Sequence, residues 1–274
     1  DVVGRVKIDN YDNRSTYKAY ASTSSLASGS RGTYADTSSQ SKNTYADAIA
    51  TLNKSFNDWS VNVNLGVSLS DSRYEMIGYE GGLKLINFFA VHNIDFNKAW
   101  KAKQSGWHDQ TRAIFANAEI GWKSMIYLTA TGRNDWDSKL AFSNQSSYFY
   151  PSVGLSAVLT EMFALPKIIS YAKVRGSYTV VASSFDRYLT NPGYEYNSQT
   201  HNWANPTVYP MDNLKPEKTK SWEIGLNLKF WENRFNLDAT YYRSNTLNQT
   251  FKVDIPSSSC LLYTSPSPRD STSS

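Results

Sequence analysis

No uninterrupted apolar run in the sequence exceeds four residues, as at 88–91, and the mean hydropathy is −0.51. A transmembrane helix needs about 20 predominantly apolar residues, so none can form here. Histidine is scarce: His92, His108 and His201 stand far apart without metal spacing such as His-Glu-x-x-His, and read as loop residues. The single cysteine, Cys260, carries no information about redox state. With 28 Lys+Arg against 24 Asp+Glu, the net charge is only +4 and the basic residues are scattered, which excludes nucleic-acid binding. Asp135 and Asp137 flank Trp136 in what reads as a loop and resemble a carboxylate pair, but no third ligand is in sight. Gly78, Gly81 and Gly82 follow no strand-to-helix phosphate pattern. The expectation is therefore no enzyme, no cofactor and no metal.

What the chain has is aromatics, at 14%, and alternation. Over residues 59–70, Trp59, Val61, Val63, Leu65, Val67 and Leu69 interleave without exception with Ser60, Asn62, Asn64, Gly66, Ser68 and Ser70. Successive strand side chains point to opposite faces, so one face is wholly apolar and the other polar. Twelve residues at about 3.3 Å each span roughly 40 Å, longer than the usual soluble strand of about 5 to 6 residues. A bilayer-spanning strand takes about 9 to 11 residues, and half of its side chains face a polar lumen, which reconciles low hydropathy with a membrane.

Neighbouring runs keep their faces across turns. A turn at Glu232-Asn233 opposes Phe230 to Phe235, Leu228 to Leu237, Leu226 to Ala239 and Ile224 to Tyr241. On the other face Lys229 meets Asn236, Asn227 meets Asp238, Gly225 meets Thr240 and Glu223 meets Tyr242. A one-residue slip would invert one strand's faces. A turn at Asn57-Asp58 opposes Phe56 to Trp59, Leu52 to Val63, Ala50 to Leu65 and Ala48 to Val67, with Lys54 placed to snorkel. A three-residue turn at 123–125 opposes Trp122 to Ile126, Ile120 to Leu128 and Ala118 to Ala130. Segments 148–159 and 170–182 alternate likewise and are joined through 160–169.

Short turns at Asn57, Lys123 and Glu232 alternate with long segments at 75–109, 134–147 and 183–218. Outer-membrane barrels have short periplasmic turns and long extracellular loops, which gives an orientation. Phe56, Trp59, Trp122, Phe230, Trp231 and Phe235 crowd the turn ends, while Tyr74, Tyr148, Tyr150, Trp222 and Tyr241 sit near the loop ends, as two girdles would. The fold class expected is all-β, part of a transmembrane antiparallel up-and-down β-barrel in the outer membrane of a Gram-negative bacterium. About eight strands are visible, ten if 2–10 and 15–21 pair.

Several stretches carry a family resemblance: Tyr127-Leu-Thr-Ala-Thr-Gly-Arg-Asn-Asp-Trp136, Tyr150-Pro-Ser-Val-Gly-Leu-Ser-Ala157, Lys173-Val-Arg-Gly-Ser-Tyr178, and above all Asn213-Leu-Lys-Pro-Glu-Lys-Thr-Lys-Ser-Trp-Glu-Ile-Gly-Leu226 followed by Arg234-Phe-Asn-Leu-Asp-Ala-Thr-Tyr-Tyr242. In order and spacing these resemble the C-terminal half of the barrel in SusC/RagA-like TonB-linked outer-membrane transporters, over most of 45–255. The resemblance implies import of oligosaccharides or peptides through a plugged barrel of about 22 strands. It also implies energy from the TonB-ExbB-ExbD system and a SusD-like surface lipoprotein as lid. No signal peptide, plug or TonB-contacting segment is visible, so the chain reads as a fragment, and an open sheet edge is not tolerable in a bilayer. The expected division is a partial barrel at 1–259 and a tail at 260–274. The run Cys-Leu-Leu-Tyr-Thr-Ser-Pro-Ser-Pro-Arg-Asp from Cys260 to Asp270 breaks the barrel pattern and resembles a translated sequencing adapter; the bland alternative is a disordered Ser/Pro tail.

On these faces, Val61, Val63, Leu65, Val67, Leu226, Leu228 and Leu237 are expected to meet lipid. Asp47, Glu119, Lys173, Arg175, Glu223, Lys229 and Asp238 are expected in the lumen, where they line a path or satisfy one another. Tyr188, Tyr194, Tyr196, His201, Trp203 and Tyr209 lie among Asn, Ser and Thr in the longest loop and suit stacking on sugar rings, packing against a lid, or folding the loop on itself. Two rivals stay open: a passive porin-like barrel and a soluble aromatic-rich β-sandwich that binds glycans.

Overall fold

A computed structural model describes residues 1–22, 31–98, 100–191, 193–197, 202–204, 213–253 and 263–266. Its strands are β1 (Val2–Ala19), β2 (Thr33–Phe56), β3 (Trp59–Gly82), β4 (Trp100–Trp122), β5 (Ile126–Asp137), β6 (Tyr148–Val158), β7 (Ile169–Ser183), β8 (Glu195–Asn197), β9 (Asn202–Ala204), β10 (Glu217–Phe230), β11 (Phe235–Leu247), β12 (Thr250–Val253) and β13 (Tyr263–Pro266). Nine of them form one antiparallel sheet in the order β1-β2-β3-β4-β5-β6-β7-β10-β11, and β8-β9 and β12-β13 are separate two-stranded pairs. The chain thus runs up and down, each strand beside its predecessor except where the β8-β9 hairpin intervenes.

The registers inferred from face matching are the registers found. Phe230 pairs with Phe235, Phe56 with Trp59 and Trp122 with Ile126, and each ladder continues from there without inverting a face. One row runs Lys54, Val61, Ile120, Leu128, Leu155, Gly176, Ile224, Tyr241 across eight strands. It contains a single charge, at its turn end. The turns are tight enough to need left-handed backbone, at Asn57 (φ 50°), at Lys123 and Ser124 (51° and 57°) and at Trp231, Glu232 and Asn233 (46°, 56° and 68°).

This sheet has no core of its own. Leu65 is 56% exposed and Ile224 55%, although each sits mid-row among apolar neighbours. Among the described residues the nine strands make one sheet, and no second sheet covers the apolar side chains exposed on it. Outside scattered single residues such as Ala113, Val158 and Ala172, buried apolar side chains gather in two clusters at the long-loop end. One joins Leu140, Tyr148, Phe185, Leu189 and Leu214, the other Tyr34, Leu83 and Ile94 with Trp100 packed against them.

Four expectations are corrected. Segment 75–109 is mostly strand: β3 runs to Gly82 and β4 starts at Trp100, leaving a connection of 83–99. Beyond the apolar zone both faces are polar, so alternation stops while the backbone ladder continues; Asp71 and Arg73 occupy the row parity of Leu69. Segments 2–10 and 15–21 do not pair with each other, because β1 is one strand of 18 residues lying along β2. Cross-strand polar contacts hold its middle extended, among them Gln40 to Asp12 and Arg14 to Asp36. The 134–147 loop shrinks to 138–147, since β5 continues to Asp137. The carboxylates Asp135 and Asp137 are separately engaged: Asp135 accepts from Arg133 Nε and the Tyr150 hydroxyl, while Asp137 accepts from the Lys139 amide and Ser184.

Candidate functional site

The polar face is organised by the same registers. A row of Asn53, Asn62, Glu119, Thr129, Gly154, Ser177, Glu223 and Tyr242 crosses eight strands, with no aliphatic side chain in it. Around it a concavity of about 480 Å³ is lined by Glu119, Tyr127, Thr129, Lys173, Arg175 and Glu223, among others. Strands β4, β5, β6, β7 and β10 contribute to it, so it exists only because the four ladders between them keep one register.

Arg175 is its hub. The guanidinium lies 3.5 Å from Glu223 and 3.4 Å from Asp238, and donates to Thr240 Oγ1 at 2.8 Å. Asn227 donates to the other Asp238 oxygen at 3.0 Å. Gly225 makes this possible, because a Cβ there would collide with the Arg175 side chain. On the same polar face Gly66 similarly receives the Phe115 ring. The result is a positive guanidinium held between two carboxylates in a groove edged by hydroxyls, suited to hydrogen-bonding a polar solute without a strong net field.

Of the residues expected in the lumen, Glu119, Lys173, Arg175 and Glu223 come together in this concavity, and Asp238 joins through Arg175. Asp47 does not: it is buried against Arg5, whose Nε and Nη2 donate at 3.0 and 2.8 Å. Lys229 also lies apart, near the turn end, with its ammonium 5.4 Å from the Tyr171 ring centroid. Tyr127 also belongs to the site, although in the sequence an aromatic on the polar parity of β5 reads as an interruption rather than a signal.

The long-loop end forms a second candidate surface. Tyr188, Tyr194, Tyr196 and Trp203 are exposed, and the Tyr196 and Trp203 rings pair across β8-β9 with centroids 5.2 Å apart. His201 and Tyr209 lie outside the described residues. The loop that bears Tyr188 is pinned. Arg187 Nε meets Asp109 at 2.6 Å and its guanidinium stacks 3.8 Å from the Trp107 ring, while Lys139 approaches the same carboxylate at 3.8 Å. Thr190 donates to the Ala141 carbonyl at 2.7 Å, and Phe185 and Leu189 enter the apolar cluster with Leu140 and Tyr148. No sequence signal flagged Arg187 or Asp109, because the pairing spans 78 residues and depends on how the loop folds back.

Further along the extended hairpins, charges pair across strands. Arg14 holds the Asp36 carboxyl below its ordinary range by hydrogen bonding, and Lys103 does the same for Glu80. His108, as chief partner, lowers Asp71 likewise. Among the described residues, no group of three or more His, Cys, Asp or Glu could hold a metal ion, and no helix is long and apolar enough to cross a membrane.

A long up-and-down antiparallel sheet with one continuous apolar face and one polar face defines a β-barrel section of the outer-membrane type. The family model for the TonB dependent receptor-like β-barrel matches residues 4–271, and the chain belongs to that family. A curated relative, TonB-dependent receptor P3 of Formosa agariphila, is 24% identical over 220 residues, which are 75% of this chain and 21% of that protein. Among solved structures, that of the RagAB peptide transporter superposes with a TM-score of 0.82 at 16% identity, covering 93% of this chain and 29% of that one. The RagAB peptide importer in its open-open state gives 0.80 at the same identity, over 93% of this chain and 28% of that one. The ferripyoverdine receptor of the outer membrane of Pseudomonas aeruginosa gives 0.50 at 15% identity, over 96% of this chain and 34% of that one. The chain therefore spans about a fifth of the curated relative and under a third of the transporter it superposes on.

Proposed function

We propose that the nine-stranded sheet is one section of a larger plugged barrel of about 22 strands that imports oligosaccharides or peptides across the outer membrane. The apolar face, with Val61, Val63, Leu65, Val67, Leu226, Leu228 and Leu237, meets lipid, and the face of Arg175 and Glu223 lines the lumen. The short turns lie on the periplasmic side and the pinned aromatic loop outside. The observation that carries this reading is the set of unbroken apolar and polar rows across eight strands, which no soluble packing in the described residues uses. The likeness to a peptide transporter's barrel supports a solute of oligomer size, and the exposed Tyr194, Tyr196 and Trp203 rings suit contact with that solute or with a SusD-like surface lipoprotein. Energy comes from the TonB-ExbB-ExbD system through parts of the protein beyond this sheet.

The barrel section comprises residues 1–259, and 260–274 are foreign to it. The support for this boundary is compositional: the Ser/Pro-rich run from Cys260 breaks the alternation of the barrel strands. Uptake of labelled peptides and oligosaccharides by cells expressing the complete transporter tests the functional reading. Loss of uptake on deleting TonB is expected; unchanged uptake would establish the passive porin-like alternative instead.

A further inference from the structure

At the loop-side border of the apolar face the rows change character within two residues. Ala46, Leu69, Arg112 and Trp136 form one row, and Ala48, Val67 and Ile114 the row below it. Because Ala46 and Ala48 are small, a groove of about 960 Å³ opens there, walled by Val67, Leu69, Ile114 and Trp136. Its upper rim is polar: Arg112 Nη2 donates to Gln110 Oε1 at 3.0 Å, and Gln110 Nε2 donates to Asp71 at 3.3 Å. Asp71 in turn holds Arg73 at 3.2 Å and His108 at 2.7 Å. Lys42 sits opposite Arg73 on the ladder, on the same face.

This cluster differs from the pairs elsewhere on the sheet. Three permanent cations, Lys42, Arg73 and Arg112, stand on this face with two carboxylates, Asp71 and Glu75; Arg73 is ion-paired to Asp71, and neither Lys42 nor Arg112 has an ion pair among the described residues. All three are exposed. Their parity is that of Leu69, so they point away from the solute path and cannot serve it. A cationic rim directly above an apolar groove, on a face turned to lipid, matches a molecule with an anionic head and a hydrocarbon tail.

We propose that this rim and groove form a binding site for a phosphate-bearing glycolipid of the outer leaflet. Arg73, Arg112 and Lys42 hold the phosphate, Gln110 and His108 contribute hydrogen bonds, and one acyl chain lies between Leu69 and Trp136 over the two alanines. Asp71 keeps Arg73 and His108 in place without cancelling the cluster's charge. Three cations against two carboxylates leave a positive surplus, carried by the unpaired Lys42 and Arg112, that a phosphomonoester draws on and a zwitterionic headgroup, which brings its own cation, does not. The groove's depth comes from residues that a generic lipid-facing surface would fill with Leu or Val.

The inference rests on the lipid-facing assignment made above. Complete transporter purified in detergent is mixed with diphosphorylated lipid A, its dephosphorylated form or phosphatidylethanolamine, and bound lipid is counted by native mass spectrometry. The wild type is expected to retain the phosphorylated glycolipid at least tenfold better than the other two. Arg73→Gln with Arg112→Gln removes that preference, Ala48→Phe fills the groove and lowers retention, and Lys54→Gln at the opposite end of the apolar face leaves it unchanged. Equal retention of the phosphorylated and dephosphorylated forms by the wild type overturns the proposal without any variant. So does an equal loss with Lys54→Gln, which marks nonspecific charge attraction. A barrel section whose apolar face does not meet lipid fails earlier, because the wild type would then not insert into vesicles.

Discussion

Replacing Leu65 and Asn64 in turn by Arg puts the same charge on opposite faces of β3, one residue apart. Leu65 lies six residues from Trp59 at the turn end, about 20 Å along the strand at about 3.3 Å per residue. With a strand tilt of about 45° this is about 14 Å of depth, near the middle of an apolar band about 25 Å tall. Its row neighbours are Ala50 and Ala116, which offer no polar partner, and more than half of its surface is open to the surroundings. Arginine at the midplane of a barrel's lipid face costs about 2 to 4 kcal/mol, or roughly 30-fold to nearly 1000-fold in the folding equilibrium. Asn64 instead accepts from Thr51 Oγ1 at 2.8 Å and donates to Asn62 at 2.9 Å on the polar face. Arginine there forfeits two part-buried hydrogen bonds but keeps water, so the loss is about 1 kcal/mol. Guanidinium-driven folding of the complete transporter into lipid vesicles measures both. Equal destabilisation by the two variants, or a larger effect at Asn64, refutes the faces.

Further outcomes follow from particular contacts. Gly225→Val places methyl groups where the Arg175 side chain passes, so Arg175 leaves Glu223 and Asp238; a loss of about 1 to 3 kcal/mol in the same titration, and altered single-channel conductance of the unplugged barrel, are expected. Arg187→Gln removes the charged contact to Asp109 and the stacking on Trp107, which frees the aromatic loop at a cost of about 1 to 2 kcal/mol; faster proteolysis between Phe185 and Tyr196 in intact cells reports it. Asp36 is held below its ordinary value of 3.8 by Arg14, so it binds fewer protons folded than unfolded. Its contribution is complete above 3.8 and fades as pH falls through the lower folded value, so hydrogen exchange in the β1–β2 extension should accelerate below about pH 3.8 more in wild type than in Arg14→Gln. Resequencing the locus with adapter-trimmed reads should end the match to this chain near residue 259; a genuine continuation through Cys260 contradicts the proposed boundary.

How far the sequence foretold the fold depended on the solvent each residue meets. Within the apolar zone, a one-residue slip would turn Leu226 and Leu228 to the polar side, so the hairpins at Asn57, Lys123 and Glu232 could be aligned residue by residue before any coordinates. Past that zone the constraint lapses. Asp71, Arg73 and Glu75 sit where Leu69 had been apolar, the ladder goes on to Gly82, and the pattern alone reads it as loop. The polar site was half legible for the same reason. Parity puts Glu119, Lys173, Arg175 and Glu223 on one face, but their meeting in a single groove needs the β4–β5, β5–β6, β6–β7 and β7–β10 registers together. The Asp109–Arg187–Trp107 clamp left no trace, since loop side chains carry no period.

The central claim, that one face of this sheet meets lipid and the other a water-filled lumen, is tested most directly by spin labels at each position from Trp59 to Leu69 of the complete transporter in bilayers. Odd positions should be accessible to oxygen and even positions to a water-soluble nickel complex, with a period of two through Leu69. Accessibility that lacks this period, or that places Val63, Leu65 and Val67 in water, would contradict the account.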